Sequence, residues 1–278
     1  GRKYTKNIKS GGLKMNFYEV ETWRPRLSCP AEEHEKAIEN WFTYVTEKKE
    51  LFPGLISAKY FNKCDREANP DGYYMMILEY ESPEACKALH ARIRDSLEKN
   101  DGVYAEYAAK DPHSCFDIDH MNMRYMQPLV TDLWFDYNDE KRKIEKANGV
   151  NLQRFLEYET WRVADDVVWT DYENMIETWF KYVVEKKKEL FEEWASASYY
   201  RQCDADGNPN GIYVMLFEYD CVEGHHAYKN RKLHSYALND GDYATYASND
   251  PYQFFNLDYV NIDCLQELKP NLWFDFNK

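Results

Sequence analysis

The chain has 278 residues, enough for two domains of ordinary size. Its 49 acidic against 35 basic side chains give a formal charge of −14, which repels phosphate backbones and anionic lipid and so excludes nucleic acid and membrane surfaces as partners. No apolar run approaches a membrane span, and the seven scattered cysteines form no CxxC pair, so neither a disulfide framework nor a zinc finger is indicated; reduced thiols and a cytoplasmic location are expected.

Residues 1–15 are basic and precede the first periodic segment. They read as an N-terminal arm or as a remnant foreign to the natural chain, with Met15 as a candidate start. From Phe17 the pattern alternates: Phe17, Glu19, Glu21 and Trp23 share one face, and Tyr18, Val20, Thr22 and Arg24 the other, which predicts a strand. Ser28-Cys29-Pro30-Ala31-Glu32-Glu33 is a helix start, and Ile38, Trp41, Phe42 and Val45 carry the helical stripe to about Phe52. A strand from Ser57 to Cys64, a polar turn from Asp65 to Gly72 and a strand from Tyr73 to Tyr80 make a hairpin. Ser82-Pro83-Glu84 opens a second helix, with proline suited to its first position. After a Tyr-rich passage, Asp119 to Tyr125 reads as the last strand, and the tail Leu133-Trp134-Phe135-Asp136 is expected to pack on a sheet edge or on the other copy.

There is another copy. Glu21-Thr22-Trp23-Arg24 returns as Glu159-Thr160-Trp161-Arg162, Trp41-Phe42-Thr43-Tyr44-Val45 as Trp179-Phe180-Lys181-Tyr182-Val183, and Leu133-Trp134-Phe135-Asp136 as Leu272-Trp273-Phe274-Asp275. The domain plan is a first repeat over 16–140, a linker over 141–152 and a second repeat over 153–278. Each unit runs β-α-β-β-α-β, the ferredoxin-like order. Two helices cover one face of each four-stranded sheet, and the other face needs a partner, which the second copy supplies. The fold class is therefore α+β, two tandem ferredoxin-like units joined as a pseudo-symmetric pair.

The opening strand, the long helix ending in Glu50-Leu51-Phe52-Pro53-Gly54, the hairpin strand ending Leu78-Glu79-Tyr80, and Ser82-Pro83-Glu84-Ala85 carry a resemblance. Over residues 16–138 and 153–277 the unit resembles the dimeric α+β barrel superfamily, near the antibiotic-biosynthesis-monooxygenase-like group. The resemblance implies one barrel built within a single polypeptide, and a homo-oligomeric assembly. It also implies activities as varied as cofactor-free oxygenases, haem-degrading enzymes, chlorite dismutases, sulfur oxygenases, isomerases and lyases, so fold alone does not choose among them.

Chemistry-bearing residues cluster on the strands. Glu19 and Glu21 share a face, as do Glu157 and Glu159; Glu79 and Glu218 end the third strands; Asp119 and Asp258 lie on the predicted fourth strands. Pointed between sheet and partner, such acids either titrate upward or gather cations; pointed outward, they are solvated or salt-bridged. Histidines are not shared: His90 aligns with Lys229, His120 with Tyr259, and His225, His226 and His234 with Cys86, Lys87 and Asp95. A histidine-based site would then belong to one half.

The leading expectation is an enzyme acting on a small aromatic or polyketide-like ligand by proton transfer and oxyanion stabilisation: a cofactor-free oxygenase, lyase or isomerase. His120, Glu21 or Asp119 would move the proton. Arg24 and Asn122 would steady an enolate or phenolate, with Trp23, Tyr74 and Tyr80 against the substrate. No cofactor is favoured. The alternatives are a metal- or haem-dependent enzyme using His225, His226 or His234 with carboxylates, and a non-catalytic binding or assembly protein. No GxGxxG, Walker loop or GxSxG is present, which disfavours nucleotide and serine-hydrolase chemistry.

Overall fold

The computed structural model describes residues 16–99, 102–129, 133–238, 243–268 and 272–278. The expected N-terminal arm at 1–15 lies outside them. The first half consists of β1 (Phe17–Trp23), α1 (Ala31–Glu47), β2 (Leu55–Cys64), β3 (Pro70–Tyr80), α2 (Pro83–Lys99), α3 (Ala105–Lys110), β4 (Asn122–Pro128) and β5 (Trp134–Asp136). After α4 (Asn138–Ala147) the second half repeats it with β6 (Phe155–Val163), α5 (Trp169–Glu185), α6 (Lys187–Leu190), β7 (Trp194–Cys203), β8 (Pro209–Tyr219), α7 (Val222–Leu238), α8 (Ala244–Asn249), β9 (Phe255–Glu267) and β10 (Trp273–Asp275).

Within each half the strands stand in ferredoxin-like order, β4-β1-β3-β2 and β9-β6-β8-β7. The halves join twice. β4 pairs with β7 from Tyr125↔Cys203 to Pro128↔Tyr200, and β9 pairs with β2 from Phe61↔Glu267 to Cys64↔Cys264. The eight long strands thus close into one barrel, which leaves no long open edge. The tails trade places. β5 lies along β7 and β10 along β2, so each half's last strand extends the other half's sheet. Phe135 accordingly stacks with Trp194 of the second half, and Phe274 packs on Trp41 and Phe42 of the first.

Strand alternation sorts side chains into an inner and an outer layer. Val20, Phe61, Met75, Ile77, Met126, Leu156, Tyr158, Tyr200, Val214, Leu216 and Leu265, drawn from both halves, fill the barrel interior. The outer faces carry Phe17, Trp23, Tyr60, Met76, Leu78 and Tyr80 under α1 and α2, and Phe155, Trp161, Tyr199, Met215, Phe217 and Tyr219 under α5 and α7. Each fully buried side chain of this size contributes roughly 1.5–3 kcal/mol.

Three local expectations change. A strand is predicted from Asp119, but Ile118–His120 forms a 3-10 turn and β4 starts at Asn122. Pro25 occupies the position of Val163 and meets Phe116 in a single bridge, flanked by Asp117 N donating to Arg24 O and Arg26 N to Cys115 O, whereas β6 runs on to pair Val163 with Phe255 after a register shift past Thr160. In the second half Asp258 does lie on a strand, β9. The segment read as a linker from 141 is mostly helical: α4 is fixed to the second half by Lys141 Nζ on Glu192 O and Asp220, and by the fully buried Arg154 on Glu145 and Asn138. The long first helix ends at Glu47, and a 3-10 turn carries the chain over Lys49–Leu51.

Candidate active site

The acids of β1 do not point between the two sheets. Glu19 and Glu21 share the face of Phe17 and Trp23, which lies under the helices. The barrel interior receives Glu79 and Glu218 instead. Glu79 accepts hydrogen bonds from Tyr18, Ser57 and Asn16, and Glu218 from Lys59 and Asn138, so both are committed to joining strands.

Under α2 the arrangement is different. Glu19 is completely buried, and its Oε2 meets His90 Nε2 at 2.8 Å and Cys86 Sγ at 3.3 Å. Its Oε1 has no hydrogen-bond partner. Cys86 and His90 are four residues apart on α2 and so present one face to β1. The half-buried Glu21 is the next residue along the same strand face. Burial alone would raise Glu19, but the hydrogen bond and charge of His90 outweigh it and hold that carboxyl below the usual range. Burial, then the adjacent Glu19 charge, pushes Glu21 well above it. His90 is raised by its bond to Glu19. Tyr80, Tyr107 and Tyr125 line the acids; burial and the charges of this cluster push all three phenols up, Tyr125 to about 12. Trp41 Nε1 donates to Tyr107 Oη at 3.3 Å.

The same layer of the second half is neutralised. Glu157 Oε1 meets His225 Nε2 at 2.7 Å, Tyr219 Oη at 3.0 Å and Lys229 Nζ at 3.2 Å. Against the cost of burial, His225 and Lys229 hold Glu157 down to about 2. Its neighbour Glu159 is pushed up to about 8 by burial and by the Glu157 charge, with Lys229 and Lys232 pulling the other way. Lys232 itself falls to about 8, chiefly through burial.

Further along the first half's stripe, the fully buried His34 bonds Tyr60 Oη at 2.6 Å among Tyr74, Phe116 and Trp23. Burial lowers it to about 4. Tyr172 takes its place in the second half and accepts from Trp161 Nε1 at 3.0 Å; Trp23 Nε1 and His34 Nδ1 have no partner. His34 was legible as a histidine one turn before Ile38 on an otherwise apolar stripe, opposite a tyrosine in the other copy.

The expected catalytic set is divided. Glu21, Trp23 and Tyr80 lie in the layer just described, with Tyr74 stacked on Tyr60 beside His34. Arg24 and His120 gather elsewhere, on Asp117 at 3.1 and 2.9 Å, and both are about two-fifths exposed. An open groove beside them is lined by Arg26, Leu27, Ser28, Asp117, Ile118 and Asp119. Asn122 is exposed and accepts from Arg124. His225, His226 and His234 do not converge. His225 serves Glu157, His226 Nε2 meets Arg66 O at 2.7 Å, and His234 is exposed. A haem does not fit there: the space beneath α7 is packed by Tyr219, Tyr228, Tyr246 and Trp194, and His225 is wedged against Phe155 and Tyr219. Among the described residues, no helix is long and apolar enough to cross a membrane.

No family model matches the chain, and no curated protein matches it. Solved structures do match in fold. A candidate monooxygenase from Lactobacillus acidophilus aligns at TM-score 0.53 and 9% identity, over 94% of this chain and 97% of that one. An anthrone oxidase-like protein aligns at TM-score 0.54 and 10% identity, over 96% and 95%. A chlorite dismutase variant from Candidatus Nitrospira defluvii aligns at TM-score 0.50 and 5% identity, over 92% of each. The chain shares its fold with these structures: two ferredoxin-like units closed into one α+β barrel within a single chain.

Proposed function

We propose that this chain is an enzyme that moves a proton on a small, electron-rich aromatic molecule, with dioxygen as the second substrate, in the layer between β1 and α2 of the first half. The observation that carries the reading is the mismatch between the halves. Both bury a carboxylate pair on their first strand, but only Glu157 and Glu159 have lysines beside them. In the first half a half-exposed histidine bonds Glu19, and the other Glu19 oxygen is left without a partner. A buried, under-compensated acid pair is costly to stability and is what proton-transfer sites are made of.

The roles follow from placement. Glu21 is the base: a carboxyl raised by its surroundings is the stronger proton acceptor once ionised. Glu19 orients His90 and keeps Glu21 raised. Trp41, Tyr80, Tyr107 and Tyr125 supply ring faces and phenolic donors for an aromatic substrate and its oxyanion. The fold likeness to an anthrone oxidase-like protein suggests anthrone as the probe. Glu21 takes a proton from the methylene carbon, and the electron pair enters the ring system as an enolate. The enolate passes one electron to dioxygen, and the radical pair joins as a peroxide at that carbon. Proton return and loss of water leave the quinone. Anthrone and dioxygen thus give anthraquinone and water.

The test is oxygen uptake and quinone absorbance with anthrone in air. Glu21→Gln is expected to slow turnover about 100-fold or more, the range of a lost general base. The equivalent Glu159→Gln is expected to stay within about threefold of the parent by the same measure. A parent protein that leaves anthrone untouched sinks the substrate class, and equal losses in the two variants sink the assignment to the first half.

A further inference from the structure

We propose that Glu19, Cys86 and His90 form a binding site for one borderline-soft divalent cation of the zinc(II) class. Three side chains of the right chemistry converge here, a carboxylate, a thiol and an imidazole, with their ligand atoms all within 4.8 Å of one another. Thiolate plus imidazole plus carboxylate is a zinc-type donor set rather than a calcium or magnesium one. Cys86 and His90 come from one face of α2 and Glu19 from β1, so two rigid elements hold the set.

The geometry is close to what a metal requires. Zinc sits about 2.3 Å from sulfur and about 2.0–2.2 Å from nitrogen or oxygen, which puts tetrahedral ligands roughly 3.3–3.7 Å apart. Cys86 Sγ and His90 Nε2 already stand 3.3 and 2.8 Å from Glu19 Oε2. A cation between them needs Glu19 Oε2 to draw back from each by less than about an ångström. Glu19 is wholly buried, and its second oxygen is unpartnered. His90, with its side chain 43% exposed, provides the way in. Three protein ligands leave a fourth position open, and Glu21 is the next side chain on the same strand face.

The second half shows a cation on the same carboxylate. His225 stands where Cys86 does, and Lys229 where His90 does; the Lys229 ammonium lies 3.2 Å from Glu157 Oε1. One half carries its positive charge on its own chain. The other offers a thiol and an imidazole in place of the lysine. A second group of possible ligands, Cys29, Glu33 and Cys115, is more open to solvent and holds no unpartnered buried atom.

The cation would share Glu19 and His90 with the site proposed above, but the test of its binding reads no turnover. Cobalt(II) chloride is titrated into the reduced full-length protein without oxygen, and near-ultraviolet absorption reports a cobalt–thiolate bond. One cobalt per chain is expected, displaced by zinc(II). Cys86→Ser should abolish the band. His90→Lys, which copies the second half, should weaken cobalt binding at least 100-fold while the melting temperature holds or rises. Glu21→Gln should bind within a few-fold of the parent even if anthrone turnover is lost, and Cys115→Ser should keep the band. No thiolate band in the parent, a band that persists in Cys86→Ser, one unaffected by His90→Lys, or one lost in Cys115→Ser would each overturn the site.

Discussion

The two halves share a backbone plan and differ in how each handles its buried charge. In the second half, buried acids under α7 and α4 are met by cations. Glu157 has His225 and Lys229, and Glu145 has Arg154. In the first half, Asn16 stands where Arg154 does, His90 where Lys229 does, and the Glu19–Glu21 pair remains short of positive charge. A duplicated unit can thus keep one copy as a settled scaffold while the other holds groups at energies that chemistry can use. The differences between copies are more informative than their likeness, because the likeness is what the barrel itself requires.

The largest expected effect tests the scaffold half. Arg154 is fully buried and donates to Asn138, Glu145 and the Asp220 carbonyl, tying α4 to β6 and β8. Arg154→Met leaves Glu145 facing the interior without its partner, which should cost about 3–5 kcal/mol. The equivalent Asn16→Ala touches only a hydrogen bond to Glu79 that Tyr18 and Ser57 also make, and should cost under about 1 kcal/mol. Urea denaturation midpoints measure both. Similar losses would show that the halves do not differ in this way.

The second effect depends on pH. Glu159 is raised in the folded chain to about 8 from an ordinary 4.5. The folded state therefore keeps a proton that the unfolded state releases, so stability is full below about 4.5 and declines as pH rises toward 8. Lys232 is lowered from 10.5 to about 8, so the folded state releases a proton first and its contribution recovers between 8 and 10.5. Glu157, held down to about 2, contributes above 4.5, and that contribution is lost as pH falls through 2. Glu159→Gln should flatten the decline between 4.5 and 8 and leave the acid limb alone. Denaturation midpoints across pH, parent minus variant, isolate the group. An unchanged slope would remove Glu159 as a buried titrating acid.

Much of this architecture was legible in the residues. Period-two alternation from Phe17 to Trp23 puts Glu19 and Glu21 on one face, and the repeat points to a closed pair of sheets. Alternation does not say which face meets helices when both faces are apolar, as they are in a closed barrel: Val20 and Ile77 look inward as Phe17 and Leu78 look outward. That ambiguity left open which side of the sheet the acids take. The 3-10 turn at His120 was hidden for a different reason. The chain leaves the β1 ladder between Asn122, opposite Thr22, and Asp117, beside Arg24, and only the pairing of two strands nearly a hundred residues apart shows that break. The Cys86–His90 spacing was visible in the sequence, but nothing local says that a buried glutamate lies opposite it.

The smallest effect concerns the two hairpin turns. In both, the Asp65 or Asp204 carboxylate accepts two backbone N–H groups, Glu67 and Asn69 in one turn, Asp206 and Asn208 in the other. Ala68 is left-handed at φ +62°, and Gly207 takes the same place at φ +85°. A side chain in this region costs about 1–2 kcal/mol. Ala68→Gly removes that strain, but it also deletes a methyl packed against the second half's core and adds chain freedom to the unfolded state, together roughly 1–2 kcal/mol. The net change should be within about 0.5 kcal/mol. Gly207→Ala has no such offset. It acquires the strain, and its methyl would stand 2.8 Å from Gln127 Nε2 on β4, so a loss of about 1–2 kcal/mol is expected, with Gln127 displaced. Thermal midpoints of the pair check it. If both substitutions cost the same, backbone strain is not what separates the turns. A loss confined to Gly207→Ala would mean that the first turn carries its left-handed alanine because the methyl reaches the partner half.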